Sequence, residues 1–146
     1  MPVRVKVRIK SLKGLKVSSA IESSALLNTG YTGASPEIIV PIKLAEKLGL
    51  WPPPSNAIES IYDTAGGPAR FYAIREAATL QVIDEDMPLR ELVVDVVISP
   101  IEREVLLSDY VIGELEIIIL NAYKGAWKLQ SDPPEKIRYS EKPEFW

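Results

Sequence analysis

Two segments of the sequence alternate apolar and polar residues with a period of two, and this pattern restricts the chain to a β-rich fold. In residues 3–10 valine or isoleucine alternates with arginine or lysine, and residues 89–98 repeat an apolar series on one face. Because successive side chains of a strand point to opposite faces, this period predicts strands. The other apolar runs are short and end at glycine, proline or acidic residues. Many short strands separated by turns predict a small closed β-barrel.

One segment has a helical period instead. Residues 42–48 place their apolar side chains on one face of a helix, and Pro41 suits its first turn. Gly49 suits the left-handed conformation that often follows a helix end, and the prolines at 52–54 prevent the helix from continuing. We therefore expect one short helix in the first half of the chain.

A second short helix is predicted to begin at Ser108 or Asp109. Asp109 is the predicted cap, accepting backbone N–H bonds, and Ser108 can share that role. With this helix the expected fold is all-β, a closed barrel over residues 1–130 with two short helices. Residues 131–146 contain three prolines and mixed charges. We expect them to form an extended C-terminal tail that is either loose or docked.

The composition excludes several kinds of chemistry. The chain has no cysteine and no histidine, which excludes disulfides, thiol nucleophiles, imidazole metal sites and serine–histidine catalysis. No apolar run reaches the roughly 18 residues of a membrane span, and the first residues lack the apolar block of a signal peptide, so we expect a cytoplasmic protein without a membrane partner. The chain has only two glutamines, three asparagines and two methionines, a composition typical of thermophilic proteins.

The net charge of −3 is unevenly distributed. Residues 1–16 carry six basic side chains and no acidic one, whereas the remainder has a charge of −9. An acidic body argues against general affinity for nucleic acid. The basic face of residues 4–10 could follow phosphates, which leaves a nucleic-acid-binding barrel as an alternative. The same pattern is typical of an exposed edge strand, and no aromatic residue is interleaved for base stacking, so we favour the edge strand.

A strand-like apolar run ends at Asn28-Thr29-Gly30. Residues 25–35, ALLNTGYTGAS, with LAEKLGL at 44–50, resemble the signature of the retropepsin-like aspartic peptidases, the single-domain group that includes the retroviral proteases. Two further landmarks follow in the order of that family. The glycine-rich YDTAGGPARFY at 62–72 resembles the flap hairpin, and VLLSDYVIGELEIIIL at 105–120 resembles the apolar-apolar-glycine turn before a short helix. The resemblance covers residues 24–129.

The resemblance implies a closed retropepsin-like (acid protease) barrel that acts as a homodimer. Two copies would meet at their motif loops and form one cleft for a peptide or protein substrate beneath the flaps. Thr29 would hydrogen-bond across the dimer axis, and Gly30 would allow the two loops to approach closely. The expected substrate-binding residues lie in the flap: Asp63, Ala65, Gly66 and Gly67.

The motif departs from the family at Asn28, which occupies the position of the catalytic aspartate. In the family one carboxylate deprotonates a water molecule while its protonated partner binds the scissile carbonyl, which requires two acids close enough to share a proton. An amide has no accessible protonation equilibrium and cannot accept that proton. We therefore expect a homologue that is catalytically inactive and retains peptide binding. The alternative is an active aspartic endopeptidase in which Asn28 was introduced in place of Asp.

Ser108 is a second departure, because the family has glycine at that position. It implies looser packing or a shifted loop next to the motif.

Two acidic segments compete with this site. Residues 63–66 read DTAG, like the missing motif, but no helix follows them, so we interpret them as a hairpin turn. Residues 84–86 could bind a hard cation through carboxylate oxygens, but they lack the spaced ligands and the glycine of a calcium loop. We interpret them as a solvated acidic turn and expect no metal site and no cofactor.

Overall fold

The computed structural model describes residues 2–84 and 87–146, which form ten strands and two short helices. In chain order the elements are β1 (Arg4–Ser11), β2 (Ala20–Leu27), β3 (Glu37–Pro41), α1 (Ile42–Lys47), β4 (Ile58–Thr64), β5 (Gly67–Asp84), β6 (Met87–Ser99), β7 (Val105–Leu107), α2 (Asp109–Glu114), β8 (Ile117–Asn121), β9 (Ala126–Leu129) and β10 (Arg138–Tyr139).

Six of the strands close into a barrel. Hydrogen-bonded neighbours follow the order β1-β2-β7-β3-β6-β5, and β1 then pairs with β5, so the sheet returns to its first strand. β4 extends the sheet as a hairpin partner of β5, and β8, β9 and β10 form a separate three-stranded sheet. The prediction of a mostly β fold with a closed barrel and two short helices is confirmed.

The core is built by the inward faces that the period of two predicts. Val5, Val7 and Ile9 of β1 are fully buried, and Leu80 of β5 and Val96 of β6 belong to the same apolar cluster. Burying an apolar side chain of this size contributes about 1.5–3 kcal/mol. The alternation along β1 is therefore the local cause of the barrel interior.

The interpretation of β1 as an exposed edge strand is wrong. β1 pairs with β2 along one side and with β5 along the other, and the second pairing closes the barrel. A period of two reveals which face of a strand is buried, but not whether both of its edges are paired. Acidic partners neutralise three of its four outward basic side chains. Arg4 pairs with Glu104 (N···O 2.6 Å), Lys6 with Glu144 (2.7 Å) and Arg8 with Glu22 (2.9 Å).

Both predicted helices are present. α1 is one residue shorter than predicted, and Gly49 beyond it has a φ of +74°. A Cβ on Gly49 would lie 2.5 Å from the backbone nitrogen of Lys16, so close approach as well as conformation requires glycine there. α2 follows Ser108, whose Oγ accepts the backbone N–H of Val111 at 3.4 Å.

The C-terminal tail is docked on the barrel. β10 lies within residues 131–146 and pairs with β9. The backbone N–H of Glu144 donates to Ser24 Oγ at 2.9 Å, and Glu144 Oε1 accepts the backbone N–H of Ser24 at 3.2 Å. Trp146 Nε1 donates to Ser23 Oγ at 2.9 Å. These bonds attach the tail to β2, the strand that ends at the Asn28 motif.

The predicted acidic turn at residues 84–86 is described only in part, since Glu85 and Asp86 lie outside the described residues. Asp84 Oδ2 accepts from Arg138 Nη1 at 2.6 Å, so this carboxylate belongs to an ion pair. Neither α1 nor α2, the helices of the described residues, has the length and hydrophobicity needed to cross a membrane.

Candidate functional site

The Asn28-Thr29-Gly30 segment follows directly on the end of β2. β7 pairs in parallel with β2, where Leu27 lies opposite Leu107, and antiparallel with β3. It therefore lies between the two strands that flank the motif loop. The backbone N–H of Asn28 donates to the carbonyl of Leu107 at 3.1 Å, which extends this pairing into the motif. Leu27 and Leu107 are both buried, so the barrel core fixes the position of residue 28.

The start of α2 also holds the motif loop. The backbone N–H of Gly30, at a φ of +93°, donates to Asp109 Oδ2 at 3.0 Å, and the backbone N–H of Asp109 donates to the carbonyl of Tyr31 at 2.9 Å. The prediction that the Asp109 carboxylate caps α2 is wrong. Ser108 caps the helix, and Asp109 binds a loop that is 79 positions away in the sequence. The capping preferences of residues within one helix turn carry no information about such a distant partner.

Ser108, at the family's glycine position, is accommodated without loss of strand pairing. Its side chain is fully buried and its backbone N–H donates to the carbonyl of Glu37 at 3.4 Å. The adjacent Leu107 remains paired with both β2 and β3. The looser packing expected from serine is therefore not observed, because the serine hydroxyl accepts a backbone N–H at the start of α2.

Tyr31 is fixed as a hydrogen-bond donor next to the motif. Its phenol donates to Glu37 Oε1 at 2.6 Å. Burial, and then this bond to Glu37, raise the pKa of Tyr31. Burial likewise raises the pKa of Tyr62, with a smaller contribution from Glu37. Both phenols therefore stay protonated at neutral and acidic pH, and neither offers a base for catalysis.

A groove with a volume of about 380 Å³ opens between the motif loop and the β4–β5 hairpin. Of the predicted site residues, Asn28, Gly30, Asp63 and Ala65 line this groove. The other three are not among its lining residues. Thr29 is exposed after Asn28, Gly66 is in the hairpin turn, and Gly67 pairs with Thr64 at the start of β5.

No protein-family model matches this chain, and no curated protein matches it significantly. What the site can do therefore rests on its own geometry and on the order of its motifs. That geometry brings two segments about 35 residues apart in the sequence to one groove, which neither segment reveals alone.

Part of the groove wall is apolar. Ile39, Phe71 and Leu106 line it and are each more than 90% buried. The rings of Tyr62 and Phe71 stack with their centroids 4.9 Å apart, which stiffens the hairpin side. Apolar wall segments combined with polar groups that fix orientation suit a small ligand or a peptide. The sequence indicated the hairpin but not these residues, because they come from four separate elements.

Two carboxylates line the groove as well. Asp63 lies on β4, and Glu102 lies in the segment between β6 and β7. Within residues 2–84 and 87–146, neither side chain has an ion-pair or hydrogen-bond partner. Burial, and secondarily the nearby carboxylate of Glu104, raise the pKa of Glu102. Sequence reasoning missed Glu102 because it belongs to no recognisable motif.

The Asn28 side chain is half-buried and faces this groove. In the part of the chain that the structure describes, its amide has no hydrogen-bond partner. An amide can both donate to and accept from a peptide backbone, but it cannot exchange a proton with water at accessible pH. The residue can therefore bind a ligand without activating a nucleophile.

Proposed function

We propose that this protein is a catalytically silent homologue of the retropepsin-like aspartic peptidases that retains a peptide-binding groove. The observation that carries the proposal is that the Asn28 loop and the β4–β5 hairpin line one groove. The position of β7 between β2 and β3 supports it, because the resembled family passes an inner strand beside its motif.

The lack of activity follows from the chemistry at residue 28. Acid–base catalysis of peptide hydrolysis requires a group that alternates between charged and neutral forms. Asn28 cannot do so, and in a symmetric dimer both copies of the motif lose the carboxylate together. Losing general-base catalysis alone reduces a rate by roughly 10²–10⁴. Binding depends on shape and hydrogen bonds, so the substitution leaves it intact.

The homodimer is part of the proposal. The chain has one motif, and Thr29 and Gly30 are exposed at its tip. Gly30 has a φ of +93°, and this conformation already favours glycine within one subunit. A Cβ on Gly30 would meet nothing within 4 Å among the described residues, so the tip is open to a second copy that packs its own loop against it.

Nucleic-acid binding is not proposed. Three of the four basic side chains of β1 that suggested it, those of Arg4, Lys6 and Arg8, are held by carboxylates, so the strand does not present a row of free charges to a phosphate backbone.

Restoring the carboxylate tests the proposal. We expect the wild-type protein to release no product from a labelled peptide library at acidic pH, and Asn28→Asp to hydrolyse it at least about 10²-fold faster than the wild type. Asn56→Asp is the matched control, because it makes the same chemical change in an exposed loop. If Asn28→Asp alone is silent, the double variant with Ser108→Gly restores the second family position.

The outcomes separate the alternatives. Hydrolysis by the wild type would replace the proposal with an active endopeptidase. Silence of both the single and the double variant, measured on folded protein, would contradict the family assignment. Activity in Asn56→Asp would show that the measured rate has another origin.

A further inference from the structure

The groove has a marked charge asymmetry. Among the described residues, its lining contains the carboxylates of Asp63 and Glu102 and no lysine or arginine. Neighbouring acids are already occupied: Glu37 accepts from Tyr31, and Glu104 pairs with Arg4. In the described part of the chain, the two lining carboxylates have no such partner.

The two carboxylates line a groove whose surface is both polar and apolar. Asp63 is exposed on the hairpin, whereas Glu102 is half-buried in the segment that leads into β7. The apolar part of the lining includes Ile39, Leu106 and Phe71. A lysine or arginine side chain has matching chemistry, because it buries an aliphatic stem while its charged head reaches a polar group.

We infer that the groove selects peptides with a lysine or arginine side chain, whose stem packs on Ile39 and Leu106 and whose cationic head pairs with Glu102 and Asp63. This inference rests on the proposed peptide-binding function and specifies its ligand class. A charge-assisted bond between a cation and a carboxylate is about twice as strong as a neutral hydrogen bond, so the selection has a sufficient physical basis.

The state of Glu102 agrees with this assignment. Burial, and secondarily the carboxylate of Glu104, raise the pKa of Glu102, since both disfavour its ionised form. A bound ammonium or guanidinium group would compensate that desolvation. The same two carboxylates would repel a glutamate or aspartate side chain, so an acidic peptide is the expected poorest ligand.

The test uses fluorescein-labelled extended peptides that are identical except for one central residue, which is lysine, norleucine or glutamate. Fluorescence anisotropy at neutral pH and low salt measures their dissociation constants with the full-length protein. We expect the lysine peptide to bind roughly tenfold more tightly than the norleucine peptide, the glutamate peptide to bind most weakly, and added salt to weaken lysine selectivity.

Variants identify the carboxylates involved. Glu102→Gln should weaken binding of the lysine peptide by about three- to tenfold and leave the norleucine peptide unchanged, since it removes charge and keeps shape. Asp63→Asn should act in the same direction. Glu135→Gln, at an exposed position of the tail, is the matched control and should change neither constant.

The outcomes distinguish this inference from the function on which it rests. Equal binding of the lysine and norleucine peptides, or an equal effect of Glu102→Gln on both, would overturn the selection of basic side chains and leave peptide binding in place. Absence of binding for all three peptides would overturn the peptide-binding groove and this inference together.

Discussion

At the scale of single residues, Arg138 shows how the tail is fastened. Its Nε and Nη2 donate to Asp132 Oδ2 and Oδ1 at 2.8 and 2.9 Å, and its Nη1 donates to Asp84 Oδ2 at 2.6 Å. Asp132 Oδ2 also accepts the backbone N–H of Leu129 at 2.9 Å. The hydrogen bonds from Arg138, assisted by the Leu129 bond, lower the pKa of Asp132 to about 2. One buried guanidinium thus links the tail to β5.

A pH dependence of stability follows from this pair. The folded pKa of Asp132 lies below its ordinary value of 3.8, so the ionised carboxylate stabilises the fold fully above that value. The contribution is lost as pH falls towards 2. Asp132→Asn should lower the free energy of unfolding at neutral pH by about 1 kcal/mol once solvent screening is allowed for.

Urea unfolding at a series of pH values measures this effect. The difference between wild type and Asp132→Asn should shrink from about pH 4 to about pH 2. Glu135→Gln serves as the control on the same segment and should follow the wild type at every pH. A difference that stays constant through the acidic range would contradict the role given to the Asp132–Arg138 pair.

At the scale of elements, the last residues of the tail support β2. β7 pairs only with Ala25, Leu26 and Leu27 of β2 among the described residues, and Glu144 bonds to Ser24 beyond that pairing. Trp146 donates two hydrogen bonds. Its indole N–H donates to Ser23, and its backbone N–H donates to the carbonyl of Arg103 at 2.9 Å. The tail thereby holds the strand that carries the motif and the segment that carries Glu102.

Removing the terminal indole should loosen this support. Trp146→Ala deletes a partly buried ring packed on the main core and its bond to Ser23, so we expect the free energy of unfolding to fall by about 2 kcal/mol. Phe145→Ala is the matched control. Its ring is 57% exposed and contacts the Arg103 guanidinium at 5.1 Å, so its loss should be below about 1 kcal/mol. Equal losses in the two variants, measured by chemical unfolding, would contradict a docked Trp146.

Local patterns in the sequence predict most of the elements but few of their distant contacts. The alternation in β1 and the turn signals around α1 are local, so the strand and the helix follow from them. The closure of β1 onto β5 and the bond from Gly30 to Asp109 join residues far apart in the chain, and no local pattern encodes them. Glu102 was missed for the same reason, because only the fold brings its segment to the groove.

At the scale of the whole molecule, the account depends on a second copy of the chain. The barrel fixes the Asn28 loop through β7 and α2, and the tip formed by Thr29 and Gly30 is exposed, with no described residue within 4 Å of a Cβ placed on Gly30. Two such tips packed on a twofold axis would bring two amides together where the resembled family has two proton-sharing acids. Under the proposed function, this arrangement would leave the frame intact and disable the reaction.

Sedimentation equilibrium of the wild type and Thr29→Arg tests whether two copies associate through the motif loop. The account predicts twice the protomer mass of 16.2 kDa for the wild type and the protomer mass for Thr29→Arg, because opposed arginines at the axis repel each other. Ser55→Arg, in an exposed loop away from the motif, should remain dimeric. A wild-type protein of protomer mass, or a Thr29→Arg variant that still dimerises, would contradict the account.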